Sequence, residues 1–404
     1  MYSQNEVMEF VREEDVKFIK LAFVDVFGKQ KNVSITDNEL EKAFKTGVAI
    51  DASAIKGFGD EAKSDLFLHP DPSTLSILPW RPEHGRVVRM FCDVTYMDGT
   101  PFLCDSRLIL KNAVNAAKER GLSFSFGSEM EFYLFKLDEN GNKTAETYDD
   151  AGYMDVAPED KGENIRREIC LTLEQMGIYP ESSHHEEGAG QNEIDFRYSD
   201  PLTAADDAIT FRQVVSAVAN RNGLYADFSP KPVENAPGNG FHINFSVKSK
   251  DTKDLLPYAI AGILNRIEDC TVFLNNSENS YKRFGVNKAP LYIAWSKENR
   301  SELIRIPAAD GEFRRAELRS PDPLANPYIA FALIIYAAIC GIENGETLPD
   351  PADFNMYKAK EKILKKYKKL PDTLATAKIK AAKSRFIEKY LPKAIISAYC
   401  DEGV

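Results

Sequence analysis

Gly127-Ser128-Glu129-Met130-Glu131-Phe132 is the stretch on which the reading of this chain turns. On a strand, residues two apart point the same way, so Glu129 and Glu131 share one face while Met130 and Phe132 share the other. A sheet face carrying carboxylates is costly to bury unless cations bind there. Alone, such a pair is most simply a solvated strand face, but three further segments repeat the chemistry. Glu181-Ser182-Ser183-His184-His185-Glu186 precedes Gly188-Ala189-Gly190, and Gln191-Asn192-Glu193 follows. The glycine turn lets the chain fold back so that Glu186 and Glu193 can converge. Gly240-Phe241-His242-Ile243-Asn244-Phe245-Ser246 alternates an apolar face with one bearing His242, Asn244 and Ser246. Arg314-Arg315-Ala316-Glu317-Leu318-Arg319 puts Arg315, Glu317 and Arg319 on one side.

Together these strands offer Glu129, Glu131, Glu186, Glu193 and Glu317 with a single imidazole, His242. That oxygen-rich set suits Mg²⁺ or Mn²⁺ better than Zn²⁺. Arginine forks beside it suit phosphate or carboxylate, and two such ions with arginines are the equipment of phosphoryl transfer. Neither a GxxxxGK[ST] loop nor a GxGxxG turn occurs, so a P-loop or Rossmann cofactor site has no support. The residues alone describe a metal-dependent enzyme that handles phosphate and a carboxylate.

The surroundings fit. The 404 residues allow two or three domains, and 43% hydrophobic with 28% charged residues is ordinary for a globular chain. A net charge of −11 argues against nucleic acid or an anionic membrane as partner. The six cysteines are scattered with no CxxC pair, which suits a reducing cytoplasm. The acid-bearing N-terminus has no apolar core of a signal peptide. The longest apolar run, Tyr328 to Ile342, falls short of the roughly 18–20 residues that span a bilayer and reads as a buried helix. Strands are expected at Phe18–Asp25, Asn32–Ile35, Val87–Thr95, Ser123–Phe135, Asn192–Tyr198, Gly240–Val247 and Leu291–Trp295. Helices are expected at Asp37–Phe44 (Asp37 as N-cap), Arg107–Glu119, Lys161–Met176, Ala204–Asn222, Thr252–Ser277 and Pro327–Glu343, with Asp51–Phe58 a loop. This is an α+β chain with a domain boundary at Pro101–Ser106, dividing it into 1–103 and 104–404.

At these residues the sequence resembles the glutamine synthetase family, type I, the bacterial glutamate–ammonia ligases. The likeness runs through FIKLAFVDVFGKQKNV, DASAIKGF, GSEMEF, ESSHHEEGAGQNEIDFRY, GNGFHINFS, NSYKR, APLYIAWSKENRSELIRIP, RAELRSPDPLANPYIAFA and LPDTLATA, in order and over most of the chain. The resemblance implies an N-terminal β-grasp domain and a larger catalytic α/β domain. It implies ATP and two or more Mg²⁺ or Mn²⁺ ions per site, glutamate and ammonia as substrates, and γ-glutamyl phosphate between them. It also implies a homo-oligomer, a dodecamer of two hexameric rings with sites between subunits. Carried over, one metal falls to Glu131, Glu186 and Glu193, the other to Glu129, His242 and Glu317. Arg300 and Arg305 match arginines that meet the nucleotide phosphates. Arg283 and Arg319 match those that clamp glutamate and the transferring phosphate, beside Gly238. Glu181, Tyr198, Ser246 and Arg315 fall where the family contacts ATP. Asp51 matches an aspartate given by a neighbouring subunit to bind and deprotonate ammonium. Tyr357 lies near a tyrosine that some members modify, in poorly matching surroundings.

Three departures concern the acceptor end. Lys288 stands where the family's flap carries a glutamate before Ala289-Pro290, and a cation there would repel ammonium. Alternatively it is a solvated loop lysine directed away from the site. Pro237 replaces an asparagine that binds glutamate, and Asn244 replaces a histidine. A synthetase, a related γ-glutamyl-amine ligase and a non-catalytic nucleotide-binding ring follow as readings, and the complete ligand set weighs against the last.

Overall fold

Two sheets carry the chain, in a computed structural model that describes residues 2–59, 64–81, 84–250, 253–308, 311 and 314–401. Helix α1 (Gln4–Glu13) opens it, fixed by a capping box between Ser3 and Glu6. The first sheet holds β1 (Val16–Val24), β2 (Gln30–Thr36), β3 (Val48–Asp51), β4 (Asp65–Pro70), β5 (Ser76–Ile77) and β6 (Arg86–Thr95), with α2 (Leu40–Thr46) between β2 and β3. Its order is β2-β1-β6-β4-β3, with β5 beside β6, and β1 runs parallel to β6, the β-grasp arrangement.

The second sheet holds β7 (Leu122–Leu137), β8 (Lys143–Thr147), β9 (Pro180–His185), β10 (Gln191–Ser199), β11 (Leu224–Asp227), β12 (Phe241–Ser249), β13 (Trp295–Lys297), β14 (Ile304–Ile306) and β15 (Ala316–Leu318). Its order is β13-β14-β15-β12-β7-β10-β9, with β8 and β11 on the far stretch of β7. One face is apolar: Met130, Phe132, Ile194, Phe196, Phe241, Ile243 and Phe245 are buried. Beneath it lie α3 (Ser106–Glu119), α5 (Pro201–Arg221) and, later in the chain, α8 (Pro327–Glu343), with α4 (Glu163–Gln175) against α5. Phe126 stacks on Phe331 of α8 at 4.4 Å between ring centres. The opposite face is the one the acidic residues occupy. Asp105, Asp200 and Asn326 start α3, α5 and α8 by accepting from first-turn N–H groups, and Pro201 and Pro327 follow at the first helical position.

The apolar run near residue 330 is α8, and its burial is nearly complete. Among the described residues no helix is long and apolar enough to cross a membrane. Helix α6 (Leu256–Leu274), followed by the short α7 (Glu278–Tyr281), crosses α8 where two glycines meet: a Cβ on Gly262 would lie 2.2 Å from the Ala337 carbonyl, and one on Gly341 2.2 Å from that of Tyr258. Gly341→Ala must therefore push the helices apart, and overpacking of this kind costs about 1–3 kcal/mol. A lower urea midpoint with unchanged slope is the expected result.

Several boundaries differ from the expected ones. Asp37 caps no α-helix: Asp37–Glu39 form a 3₁₀ turn, α2 begins at Leu40, and Asp37 pairs with Lys17 at 3.5 Å. Asp51–Phe58 contains a 3₁₀ turn, Ala52–Ala54. Thr252 lies outside the described residues, and α6 starts at Leu256. Leu291–Trp295 is not a strand; only Trp295 enters β13. Leu291 and Ile293 instead form backbone hydrogen bonds with Leu370 and Lys368, giving an isolated bridge between Tyr292 and Lys369. The helices after α8, including Leu374–Ala382 and Lys393–Cys400, are additional to the expected set.

Candidate active site

Register places the acids. Glu131 of β7 stands opposite Glu193 of β10, and Glu193 opposite His184 of β9. Glu129 stands between Asp195 on one side and His242 of β12 on the other. Beyond them, Glu317 of β15 faces Asn244 and Arg305. Strand alternation turns all of these onto one face, over a cavity of about 460 Å³. Glu129, Glu131, Glu186, Glu193, His242, Gly238, Arg283, Arg300, Arg305, Arg315 and Arg319 all line it.

Ligand atoms of Glu129, His242 and Glu317 lie within 4.8 Å of one another, the expected second metal set. The other set is joined through histidines: Glu131 and Glu193 cluster with His242, while Glu186 and Glu193 cluster with His184. Carboxylates crowded this way resist ionisation. Burial, then Glu131, raises Glu186 to about 7. Burial, then Glu129, raises Asp195 to about 8. Burial also drives Glu193 well upward. Glu129 goes the other way: burial works to raise it, but His242, Asn244 and Arg319 together hold it at about 2. Asp195 keeps one buried oxygen, Oδ1, without a partner among the described residues. Hard oxygen donors that outnumber the two imidazoles, crowded closely enough to need a counter-charge, fit Mg²⁺ or Mn²⁺.

Four of the cavity's arginines, Arg283, Arg305, Arg315 and Arg319, are held by partners within the chain. Arg305 and Arg319 both donate to Glu317, which is fully buried, and Arg283 donates to the Ser320 carbonyl at 3.1 Å. Their Nε atoms are buried and, among the described residues, have no hydrogen-bond partner. Arg300 is exposed at the rim. Gly238 packs against Arg283 so closely that a Cβ there would lie 2.6 Å from Arg283 Cγ and 2.4 Å from the Pro230 carbonyl. Any larger residue would displace that arginine.

The expected nucleotide contacts form a second cavity. Glu181, Tyr198, Ser246 and Arg315 line about 500 Å³ together with Ser125, Arg197, Lys248 and Arg314. Arg315 lines both cavities and lies 5.7 Å from the centre of the Tyr198 ring. The buried Tyr198 hydroxyl has no hydrogen-bond partner among the described residues.

Asp51 is not brought to either cavity. It lies exposed at the end of β3, and Ser53 N–H and Oγ donate to it at 2.9 and 2.6 Å. Those bonds hold its carboxyl below the usual range. The three departures resolve differently. Asn244 donates to Glu129 at 2.7 Å and accepts from Arg315 at 3.3 Å, so it links the two cavities. Pro237 lines the cavity but offers it no polar group, its carbonyl accepting from the Tyr133 hydroxyl at 2.7 Å. Lys288 is not turned away into solvent: it lines the cavity and ion-pairs with Glu187. Tyr357 donates to the Ala289 carbonyl at 3.0 Å, and burial pushes its hydroxyl up to about 12.

Three participants escaped the sequence. Asp195 was legible, since Glu193-Ile194-Asp195 repeats the alternation of Glu129-Met130-Glu131. Gln191 donates to Glu131 at 3.1 Å, and Glu187 reaches the flap; neither carries a local signal.

A β-grasp unit ahead of a sheet whose polar face carries clustered carboxylates and arginines defines a class: a metal-dependent phosphoryl-transfer enzyme that handles a carboxylate. Comparison makes it particular. The glutamine synthetase catalytic-domain family model matches residues 103–402, and that of the glutamine synthetase β-grasp domain matches 15–97. Glutamine synthetase of Clostridium saccharobutylicum is 46% identical over 369 residues, spanning 88% of this chain and 83% of that one. That of Methanosarcina mazei is 43% identical over 413 residues, spanning 98% and 92%. Among solved structures, the GmaS/ADP complex superposes with TM-score 0.88 at 27% identity, over 97% of this chain and 93% of that one. Plasmodium falciparum glutamine synthetase shares the fold, with TM-score 0.87 at 22% identity, over 99% and 95%. The chain belongs to the glutamine synthetase family, and it is a glutamate–ammonia ligase: with ATP and a divalent metal, it joins ammonia to the γ-carboxylate of glutamate.

Proposed function

We propose that the reaction runs through γ-glutamyl phosphate, with labour divided as the two cavities suggest. The observation that carries this is the strand register that brings Glu193, Glu131, Glu129, His242 and Glu317 to one face beside five arginines. Glu131, Glu186 and Glu193 would hold one Mg²⁺ or Mn²⁺, and Glu129, His242 and Glu317 another. Such ions neutralise charge on the phosphates as the phosphoryl group moves. Glu181, Tyr198, Ser246 and Arg315 hold the nucleoside end. Arg300 and Arg305 bind its phosphates. Arg283, Arg319 and the backbone at Gly238 orient glutamate so that its γ-carboxylate oxygen meets the terminal phosphorus in line. Ammonia then displaces phosphate from the acyl phosphate, giving glutamine, ADP and phosphate.

Asp51, exposed and ionised away from its own chain's cavity, serves a neighbouring copy in binding ammonium. The assembly is a dodecamer of two hexameric rings, the boundary between domains lies at 103/104, and the compartment is the cytoplasm, where six free thiols persist. No nucleic acid or membrane is a partner.

ATP turnover with Mg²⁺ or Mn²⁺ and glutamate, with and without ammonium, tests the reading. Ammonium-dependent phosphate release with glutamine formed is expected; an ammonium-blind protein that still binds ATP overturns it. Pro237 and Lys288 at the acceptor end favour a γ-glutamyl-amine ligase as second reading, and alkylamines in the same assay decide it. Arg315→Ala is expected to raise the KM for ATP about tenfold, the loss of one charge-assisted contact, with a smaller fall in kcat. Steady-state kinetics check this.

A further inference from the structure

The flap lysine has a partner that the mechanism above leaves idle. Lys288 Nζ crosses the cavity mouth to Glu187, in the turn between β9 and β10, and lies 5.3 Å from the centre of the Tyr153 ring. Glu187 directly follows the metal-binding Glu186, whose carboxylate accepts from the Glu187 backbone N–H at 3.0 Å. The Glu187 side chain is thereby left to the cavity mouth.

The flap backbone is fixed where the lysine emerges. Asn287 and Lys288 have φ of +46° and +64°, Gly285 donates to the Ala289 carbonyl at 3.0 Å, and Tyr357 donates to that same carbonyl. The side chain, not the flap, is what can move. Lys288 and Glu187 side chains are 47% and 37% exposed, and ion pairs in water are worth about 0–1 kcal/mol. Another ammonium group can displace this one. A free ammonium ion carries the same charge and the same kind of donors as the lysine head group.

We propose that Glu187 is a docking carboxylate at the cavity mouth, where the cationic acceptor pairs before it passes to the Asp51 of a neighbouring copy, and that Lys288 Nζ occupies this position until ammonium replaces it. The glutamate missing from the flap is thus supplied from the opposite side of the mouth. A small cation is selected because it must fit where one ammonium head group sat. The proposal rests on the reading that this enzyme aminates glutamate.

The full chain, loaded with ATP, Mg²⁺ and glutamate, provides the test, with ammonium and hydroxylamine as alternative acceptors. Hydroxylamine is largely uncharged at neutral pH and needs no carboxylate to hold it. Glu187→Gln is expected to raise the KM for ammonium about tenfold or more, with a far smaller effect on hydroxylamine and on the KM for glutamate. Glu187→Asp restores part of the loss. Lys288→Met is expected to lower the KM for ammonium, because the competing head group is gone. A latch that merely closes the mouth would shift both variants the same way. Same-direction shifts, or an unchanged KM for ammonium in Glu187→Gln, overturn the proposal alone. A wild-type protein that makes the hydroxamate but no ammonium-dependent glutamine overturns the underlying reading, and this proposal with it.

Discussion

Glu317→Ala is expected to silence the enzyme and loosen it together. Glu317 is fully buried, accepts from Arg305 and Arg319, and lies 3.7 Å from His242 Nδ1. Its removal leaves two guanidinium groups facing each other without a counter-charge, where breaking a buried pair costs about 3–5 kcal/mol. It also removes a carboxylate from the Glu129–His242–Glu317 cluster proposed to hold a metal ion. Loss of one preorganised stabilising group typically costs about 10²–10³ in kcat, so at least that fall is expected. Glu317→Gln keeps the shape and one acceptor, so it should recover stability more than activity. Urea unfolding beside a Mg²⁺ titration of kcat separates the effects. Activity of Glu317→Ala within tenfold of wild type would remove Glu317 from the ligand set.

The metal-free protein is expected to weaken as pH rises from about 4 to about 8. Burial and Glu131 raise Glu186 to about 7, and burial and Glu129 raise Asp195 to about 8. Groups raised on folding hold more protons in the native state than in the unfolded one. Their contribution is complete below the usual carboxylate range and is lost as pH climbs through 7 and 8. Each tenfold gain in proton affinity on folding is worth about 1.4 kcal/mol, so the two together amount to several kcal/mol, as an order of magnitude. Mg²⁺ should reverse the trend by replacing those protons, so its stabilisation grows with pH and its binding releases protons. Thermal unfolding in chelator against Mg²⁺, at several pH values, gives the comparison. Asp195→Asn should flatten the chelator profile, and an already flat wild-type profile would show that these carboxyls are not crowded in solution.

What could be read in advance follows the reach of each interaction. Alternation within a strand is local, so Glu129, Glu131, His242 and Glu317 were visible in their own segments, and α8 declared itself by apolar content. Asp195 had the same local signal. Pairings between distant segments left no such mark. Nothing near Glu187 shows that the turn meets a flap lysine about a hundred residues later, and the bridge between Tyr292 and Lys369 displaced an expected strand for the same reason. Nor could a departure from a motif show what replaces it: Asn244 keeps a hydrogen bond to Glu129, whereas Pro237 contributes only a carbonyl already engaged.

The central strand β7 has a kinetic consequence. It supplies two carboxylates of the proposed metal sites, yet their partners arrive from β10, β12 and β15, at separations of tens to nearly two hundred residues. Closing such distances is slow, and the strand period of two means that a slip by one residue turns every ligand of the slipped strand to the apolar face. A chain with β12 misaligned against β7 would bury His242 and present Phe241 to the metal. Only the correctly registered sheet can capture the ion, so Mg²⁺ present during refolding would trap the right alignment and leave slipped chains free to unfold and try again.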